Sequence, residues 1–214
     1  MSHNITVEGG KAIRLKTSGK YCDQDIIVTA TGGDEGYEEG YKAGVESFSA
    51  VEDGLLSKTL TEYHNMRPVT IGNRFFSYFY NLVLVDIPNA VSIQQYAFEY
   101  CTALEEIVLP SATDIQHYVF QNCSKLTKVD LYVAENLASN VLSNTNLTTL
   151  ILRKTNSITR NSSTASISNT PIARGEGYVY VPAALIDAYK VATNWSAYAD
   201  RFRAIEDYPE ICGV

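Results

Sequence analysis

Few residues of this 214-residue chain could carry out chemistry, and none has the spacing that a reaction or a metal ion requires. The three histidines, His3, His64 and His117, lie far apart in the sequence. Motifs for a nucleophilic serine, a zinc-bound water or a phosphate loop do not occur. Adjacent carboxylates such as Glu105 and Glu106 would point to opposite faces of a strand and could not flank one glycosidic bond. The sequence therefore predicts no catalytic residue, no metal site, no cofactor and no enzymatic activity.

Four cysteines are the other reactive side chains: Cys22, Cys101, Cys123 and Cys212. None lies in the CxxC or Cys–His spacing that is typical of zinc sites or thiol redox centres. Cys101 and Cys123 occupy equivalent places in two similar stretches of the sequence. They could approach within disulfide range, but parallel side chains would not form the bond. We expect both to be buried thiols that pack as small hydrophobic side chains.

The composition is that of a folded, acidic protein. Hydrophobic residues make up 45% of the chain, charged residues 19%, and the net charge is -7. Because there is no run of Lys or Arg, nucleic acid is a poor candidate for a partner. The polar start at residues 1–4 does not resemble a signal peptide. No apolar run approaches the roughly 18 residues of a membrane span, so we expect synthesis in the cytoplasm and no membrane insertion.

A segment of about 22 residues repeats along the centre of the chain. Four units open at nearly equal spacing, with Leu82, Leu104, Leu126 and Leu147. Sixteen positions further on, one slot is filled by Phe98, Phe120 and Leu142. Reading back by one period gives a degenerate first unit at Leu60. A fixed period of this length predicts stacked repeats, here about five rungs, where a rung is one repeat unit.

Each unit predicts one short strand followed by a helical turn. The pattern Leu-x-x-Ile-x-Leu alternates as a strand with one buried face does, and Pro88 and Pro110 would end that strand. The following Ile-Gln-x-Tyr-x-Phe spaces its apolar residues as a helix does, with its Phe filling the interior. A single unit cannot bury its apolar side, but parallel strands stacked about 4.8 Å apart can.

These residues carry a resemblance to a known family. The Leu-x-x-Ile-x-Leu-Pro strand, the Ile-x-x-Tyr-Ala-Phe turn and the Cys-x-x-Leu join in residues 82–126 closely resemble BspA-type (Treponema) leucine-rich repeats. Residues 178–202 look like the terminal segment that follows such arrays. The resemblance implies an α/β solenoid, a stack of leucine-rich repeats with short parallel strands. It also implies a binding role, since members of the family serve mainly as adhesins or binding modules.

The pattern divides the chain into four parts. Residues 60–177 hold the repeats, and within them residues 156–176 form a Ser/Thr/Asn-rich insertion that we expect to be an irregular loop. Residues 178–214 would supply a last strand and a helical C-terminal cap. Residues 1–33 predict a small β module. Residues 34–59 predict a Gly/Tyr-rich helix and a linker.

The C-terminal part must close the stack, because a last rung would otherwise leave an apolar face in water. We predict the last strand at residues 178–181, ended by Pro182, and a helix over residues 183–192. One face of that helix would carry Leu185, Ala188, Tyr189 and Ala192. Trp195 and Tyr198 would then add bulk to the core. The alternative reading of this aromatic pair is a sugar-binding platform.

The N-terminal part predicts three short strands, at residues 5–7, 12–15 and 25–30. A glycine-loaded helix follows. One of its faces carries Tyr37, Tyr41, Val45 and Phe48, beside a seam of Gly36, Gly40 and Gly44. This seam could mediate self-association into a homo-oligomer, or the helix could be a linker packed on its own chain. The β strands and the Gly-Tyr-x-x-Gly-Tyr-x-x-Gly segment are similar to modules of tail-associated structural proteins of phages and prophages.

The outward-facing strand positions are the candidate partner-binding face. They form two rows, namely Leu84, Glu106, Lys128 and Thr149, then Asp86, Val108, Asp130 and Ile151. Glu106 beside Lys128 is a plausible cross-strand pair, worth a few tenths of a kcal/mol. Because the rows lack the aromatic or Arg anchors that binding patches usually show, a merely solvated face is the alternative.

Taken together, these features favour a non-enzymatic binding or structural protein. The leading hypothesis is a phage or prophage virion-associated attachment protein, of tail or fibre type, that binds a protein or a cell-surface glycan. The alternative is a bacterial cell-surface adhesin of the BspA-like repeat family. A third hypothesis, from another class, is a carbohydrate-active enzyme.

Overall fold

The computed structural model describes residues 60–66 and 69–213, together with the backbone of two strands, Ile5–Val7 and Val28–Ala30. The predicted strand at residues 12–15 and the predicted Gly/Tyr helix lie outside the described residues. The same is true of the candidate self-association residues Gly36, Tyr37, Gly40, Tyr41, Gly44, Val45 and Phe48.

Short strands and turns alternate along the described chain. The strands are β1 (Ile5–Val7), β2 (Val28–Ala30), β3 (Glu62–His64), β4 (Val69–Ile71), β5 (Leu84–Asp86), β6 (Ala90–Ile93), β7 (Glu106–Leu109), β8 (Asp114–Ile115), β9 (Lys128–Leu131), β10 (Asn136–Leu137), β11 (Thr149–Leu152), β12 (Arg160–Asn161), β13 (Tyr178–Val181) and β14 (Phe202–Ala204). The α-helices are α1 (Pro171–Arg174), α2 (Ile186–Val191) and α3 (Pro209–Cys212). Short 3-10 turns span Thr164–Ile167, Ala183–Leu185, Ser196–Arg201 and Ile205–Asp207.

The strands form parallel sheets, and each repeat from β3 to β12 adds one strand to each of two sides. One side consists of β1-β2-β3-β5 and, beside β5, β7-β9-β11-β13-β14, while the other side is β4-β6-β8-β10-β12. The registers follow the repeat, so that Glu106 pairs with Lys128 and Ile107 with Val129. Two of the three predicted N-terminal strands are present, and β2 pairs in parallel with β3 at Val28 and Tyr63.

The core between the two sides contains the residues that define the repeat. The opening leucines are fully buried: Leu60, Leu82, Leu104, Leu126 and Leu147. Phe76, Phe98 and Phe120 stack one above another, with ring centroids 5.1 and 5.4 Å apart. This confirms that successive copies of the segment lie on top of one another and bury their apolar sides. Each such side chain contributes about 1.5 to 3 kcal/mol before entropy is subtracted.

The predicted helical turn of each repeat is wrong, because a second strand and a tight turn take its place. Ile93 and Ile115 end β6 and β8, and residues 95–100 form a turn rather than a helix. Within that turn, Tyr96 has a φ of 59°, which interrupts a right-handed helix. The backbone N–H of Phe98 donates instead to the carbonyl of Val119 in the next rung at 2.9 Å. Hydrogen bonds between rungs thus replace those within a helix.

The insertion at residues 156–176 is also not the irregular loop that the sequence predicted. It contains β12, a 3-10 turn and α1, and it buries Ile167 and Ile172 completely. Its polar side chains bond to carbonyls of the preceding rung. The hydroxyl of Ser166 donates to Ala138 and that of Thr159 to Ala134, each at 2.9 Å. The insertion therefore continues the stack, with hydroxyl groups in places where other rungs use apolar side chains.

The C-terminal part extends the same sheet. The predicted strand at residues 178–181 is confirmed as β13, although β14 follows it at the edge. Trp195 is fully buried, and its indole N–H donates to the carbonyl of Thr159 at 2.7 Å. It packs against Tyr189 and Phe202 with ring centroids 5.8 and 5.7 Å away. A buried Trp195 contradicts the alternative of a sugar-binding platform, which would need an exposed ring.

Candidate partner-binding surfaces

The first candidate surface is the outer face, which we define as the side chains of β3, β5, β7, β9, β11 and β13 that point away from the core. All eight predicted residues lie on it: Leu84, Asp86, Glu106, Val108, Lys128, Asp130, Thr149 and Ile151. Six of them are exposed or half-buried. Asp130 and Ile151 are buried, so their prediction as accessible contact residues is wrong.

The chain's own C-terminal segment, residues 205–212, covers these two positions. Ile151 packs in a small buried cluster with Tyr180, Ile205 and Cys212, separate from the main core. The carboxylate of Asp130 accepts two hydrogen bonds of 2.8 Å from the Arg153 guanidinium. The same guanidinium donates to the carbonyl of Cys212. The C-terminal half of the outer face is therefore an intramolecular interface.

The covered strands and the C-terminal segment differ in charge. Basic side chains on or beside β9, β11 and β14 are Lys128, Arg153 and Arg203, whereas the segment carries carboxylates at Glu206, Asp207 and Glu210. Hydrogen bonding to Asp130 raises the pKa of Arg153, which keeps the guanidinium charged. The interface thus combines an apolar contact with a hydrogen bond from the charged Arg153 guanidinium to the backbone of the segment.

The N-terminal half of the outer face is open. Leu84 and Val108 are 42% and 43% exposed. Carboxylates surround them, at Glu62, Asp86 and Glu106. His64 lies among these groups, with Nδ1 3.4 Å from Asp86 and Nε2 3.7 Å from Glu62. This open half is therefore both apolar and acidic.

The second candidate surface is the edge formed by the turns at residues 73–78, 95–100, 117–122 and 139–144. Two positions in each turn have left-handed backbone, with φ between 56° and 67°. The first position is occupied in successive rungs by Arg74, Tyr96, Tyr118 and Asn140. The second is occupied by Tyr78, Tyr100, Asn122 and Asn144, and Asn169 in the following rung has the same backbone conformation. The rungs of residues 60–123, the upper rungs, thus place mainly tyrosine at these positions, whereas the rungs of residues 124–176, the lower rungs, place asparagine.

This exchange of residue type matters because the left-handed region is costly for most side chains. It costs an L-residue roughly 1 to 2 kcal/mol, and asparagine is among the few that adopt it routinely. Stacking offsets part of this cost for the tyrosines: the rings of Tyr96 and Tyr118, and those of Tyr78 and Tyr100, lie 4.9 Å apart. Each such pair contributes about 0.5 to 1.5 kcal/mol.

The tyrosine edge consists of Tyr78, Tyr80, Tyr96, Tyr100 and Tyr118. Tyr78 and Tyr80 are 43% and 44% exposed. The Arg74 guanidinium lies 4.2 Å above the ring of Tyr96 and bonds to the Glu99 carboxylate at 3.2 Å. This surface was not predicted from the sequence, because the spacing of the apolar residues indicated helical turns. Tyrosines that recur with the period of the repeat, yet belong to none of the core positions, were the signal present in the sequence.

No cluster suited to metal binding exists in the part of the chain that the structure describes. Groups of three or more His, Cys, Asp or Glu residues that could hold a metal ion are absent there. Cys101 and Cys123 are buried free thiols, as predicted, and donate to the carbonyls of Phe76 and Phe98. Burial raises the pKa of both thiols, which makes them poor nucleophiles.

A search of residues 60–66 and 69–213 for membrane spans finds no helix with the length and apolar character to cross a bilayer.

Comparison with known families identifies the repeat. Residues 60–170, more than half of the chain, match the family described as BspA type leucine rich repeat region, in six copies. The sequence had predicted about five rungs. A comparison with curated proteins gives no match.

Proposed function

This chain belongs to the BspA-type leucine-rich repeat family, and we propose that it is a non-enzymatic protein that binds a protein partner through the open half of its outer face. Repeat stacks of this kind use extended surfaces for binding. One observation carries the proposal: the other half of the same face is already occupied by a segment of protein, residues 205–212.

The covered half supports a specific expectation for the chemistry of the partner. There, apolar side chains of the segment contact Ile151, and the Arg153 guanidinium donates to the carbonyl of Cys212. In the open half, Leu84 and Val108 take the place of the buried aliphatic contact. Asp86 occupies the row of Asp130, and no segment among the described residues covers it. A partner that completes this half must supply apolar side chains together with Lys or Arg.

The buried core, continuous from Leu60 to Phe202, supports a further structural proposal. The rungs would wind as one solenoid, with residues 178–213 acting as its C-terminal cap. Trp195, Tyr189 and Phe202 belong to that core, and a cap requires such bulk beneath it.

Whether this binding module works on a bacterial surface or on a virion is a separate proposal. Family membership supports an adhesin on a bacterial surface. The N-terminal Gly/Tyr sequence supports a phage or prophage attachment protein, and its seam of Gly36, Gly40 and Gly44 would then mediate self-association. Tail, portal or holin genes beside the coding sequence would favour a virion component, whereas sorting or cell-wall genes would favour the adhesin. Light scattering that finds the full-length protein monomeric would contradict the oligomer.

Selection from a yeast-displayed library of random dodecapeptides tests the partner chemistry. We expect the selected peptides to combine Lys or Arg with large apolar residues and to bind less tightly at high salt. Leu84→Ser and Asp86→Lys should each weaken binding at least tenfold, because they remove the apolar contact and reverse the charge. Val191→Ser is the control, since Val191 is 81% exposed on α2, away from the outer face.

Selected peptides that are acidic, or that bind both open-face variants as well as the wild type, would contradict this proposal. The claim that the protein is not an enzyme is tested by turnover assays on polysaccharides. A robust rate that a single carboxylate substitution abolishes would overturn it.

A further inference from the structure

We propose that the tyrosine edge is a second protein-binding surface, which lies on the turns rather than on the strands and goes beyond the function proposed above. Its members are the five tyrosines defined earlier, with Arg74 at its upper end. The partner is a protein with a largely uncharged, hydrogen-bonding surface.

The fold does not require tyrosine at these positions. Asn140 takes the place of Tyr96 and Tyr118, and Asn144 takes the place of Tyr100, with the same left-handed backbone. The asparagines also bond to one another down the stack, Asn144 to Asn122 at 2.9 Å and Asn169 to Asn144 at 2.8 Å. Residues kept in an unfavourable backbone region where a better one is available point to a role in function.

Stacking limits which parts of the tyrosine rings a partner can reach. Tyr96 and Tyr118 stack with only 2° between their planes, and Arg74 covers the other face of Tyr96. The Tyr78 and Tyr100 planes differ by 10°. Sugars bind aromatic side chains chiefly through open ring faces, whereas stacking closes one face of each of these four rings and, together with Arg74, both faces of Tyr96. Ring edges and phenolic hydroxyls suit the mixed apolar and polar surface of a protein.

The tyrosine edge is rigid and nearly neutral in charge. Stacking fixes the rings before a partner arrives, and the N–H groups of Tyr96 and Tyr100 are bonded to His117 and Gln121 of the next rung. Pre-ordered tyrosines give a large contact area with little loss of side-chain entropy. The charge of Arg74 is balanced by Glu99. Tyr and Arg are also the residue types that dominate binding energy at protein interfaces.

The test uses the full-length protein and a displayed library of single-domain binders on one fixed scaffold. Binders are selected on the wild type and then measured against the triple variant Tyr96→Asn, Tyr100→Asn, Tyr118→Asn. We expect most clones to lose at least tenfold in affinity. We also expect the melting temperature of the triple variant to stay within about 4 °C of the wild type, since asparagine suits the backbone. The matched control, Asn140→Gly with Asn144→Gly, should leave binding unchanged, because glycine accepts the same conformation.

Clones that bind the triple variant as tightly as the wild type would overturn the proposal. A fall in melting temperature of more than about 10 °C would overturn it as well, since the tyrosines would then serve the fold. If the wild type bound neutral glycans on an array and the triple variant did not, the partner would be a glycan and not a protein. If light scattering showed a wild-type dimer and a monomeric triple variant, the edge would bind a second copy of this chain instead.

The result is independent of the function proposed for the outer face. Leu84→Ser and Asp86→Lys should leave the edge-binding clones bound, whereas they should release the peptides selected on the open half. Loss of the edge-binding clones in these two variants would mean that there is one surface, and it would overturn the claim of a second one.

Discussion

The upper rungs, residues 60–123, and the lower rungs, residues 124–176, share one core but differ in what they place on their surfaces. The upper rungs leave the outer face open, with Leu84 and Val108 exposed, while the C-terminal segment covers the lower half. The turns of the upper rungs expose stacked tyrosines, and those of the lower rungs carry an asparagine ladder. Repetition of the backbone therefore does not impose repetition of the surface.

This difference separates what the fold requires from what it permits. The buried leucines and phenylalanines are the same in kind from Leu60 to Leu147, because every rung must pack against the next. Surface positions that tolerate several residue types are free to differ. We infer that all rungs contribute to stability, whereas recognition is concentrated in the upper rungs.

The largest expected effects should be equal in the two regions. Leu82→Ala and Leu147→Ala should each lower the free energy of unfolding by about 2 to 5 kcal/mol, because both side chains are fully buried. Urea denaturation measures both. A loss below about 1 kcal/mol for either variant would show that its rung does not share the common core. The claim that the upper and lower rungs have one core would then be wrong.

Equivalent aspartates should behave differently in the two regions. Asp130→Asn breaks a buried ion pair with Arg153 and should cost about 3 kcal/mol. Asp86→Asn, in the same row of the open half, should change stability by less than about 0.5 kcal/mol, since that carboxylate is exposed. Thermal unfolding of the two variants side by side checks the contrast. Equal losses would mean that the open half is more constrained than the structure indicates.

Two glycines offer a smaller test of how tightly each region packs. An added Cβ at Gly177 would lie 2.5 Å from the carbonyl oxygen of Thr148, so Gly177→Ala should cost about 1 to 3 kcal/mol. A Cβ at Gly72 meets nothing within 4 Å. Gly72→Ala should therefore be neutral or stabilise the protein by up to about 1 kcal/mol. Differential scanning calorimetry would rank the two, and a reversed order would contradict the packing described at Gly177.

The stacking of the repeats could be predicted from the sequence because it depends on a strict period. The regular period fixes which leucines and phenylalanines align, and Phe98 and Phe120 do stack. Burial of Cys101 and Cys123 followed from the same alignment. The strand register between Glu106 and Lys128 was also predictable, since it is the repeat itself.

The features that escaped prediction depend on contacts without a local pattern. The second strand and the left-handed turns are held by hydrogen bonds between rungs, such as Phe98 to Val119, which helical spacing does not encode. The burial of Asp130 and Ile151 depends on residues 205–212, and these carry no repeat. The insertion joins the stack through hydroxyl groups such as that of Ser166, which composition alone assigns to a loop. The tyrosine edge also escaped prediction, because it lies on the turns that the sequence predicted to be helical.

A reciprocal exchange between the two regions tests most directly whether the tyrosines serve recognition rather than the fold. Tyr96→Asn and Asn140→Tyr exchange residue types at equivalent left-handed positions. We predict that Tyr96→Asn changes the free energy of unfolding by less than about 1 kcal/mol, whereas Asn140→Tyr lowers it by about 1 to 2 kcal/mol. Chemical denaturation of both variants gives the answer. A loss of more than about 2 kcal/mol for Tyr96→Asn, with no loss for Asn140→Tyr, would contradict the account.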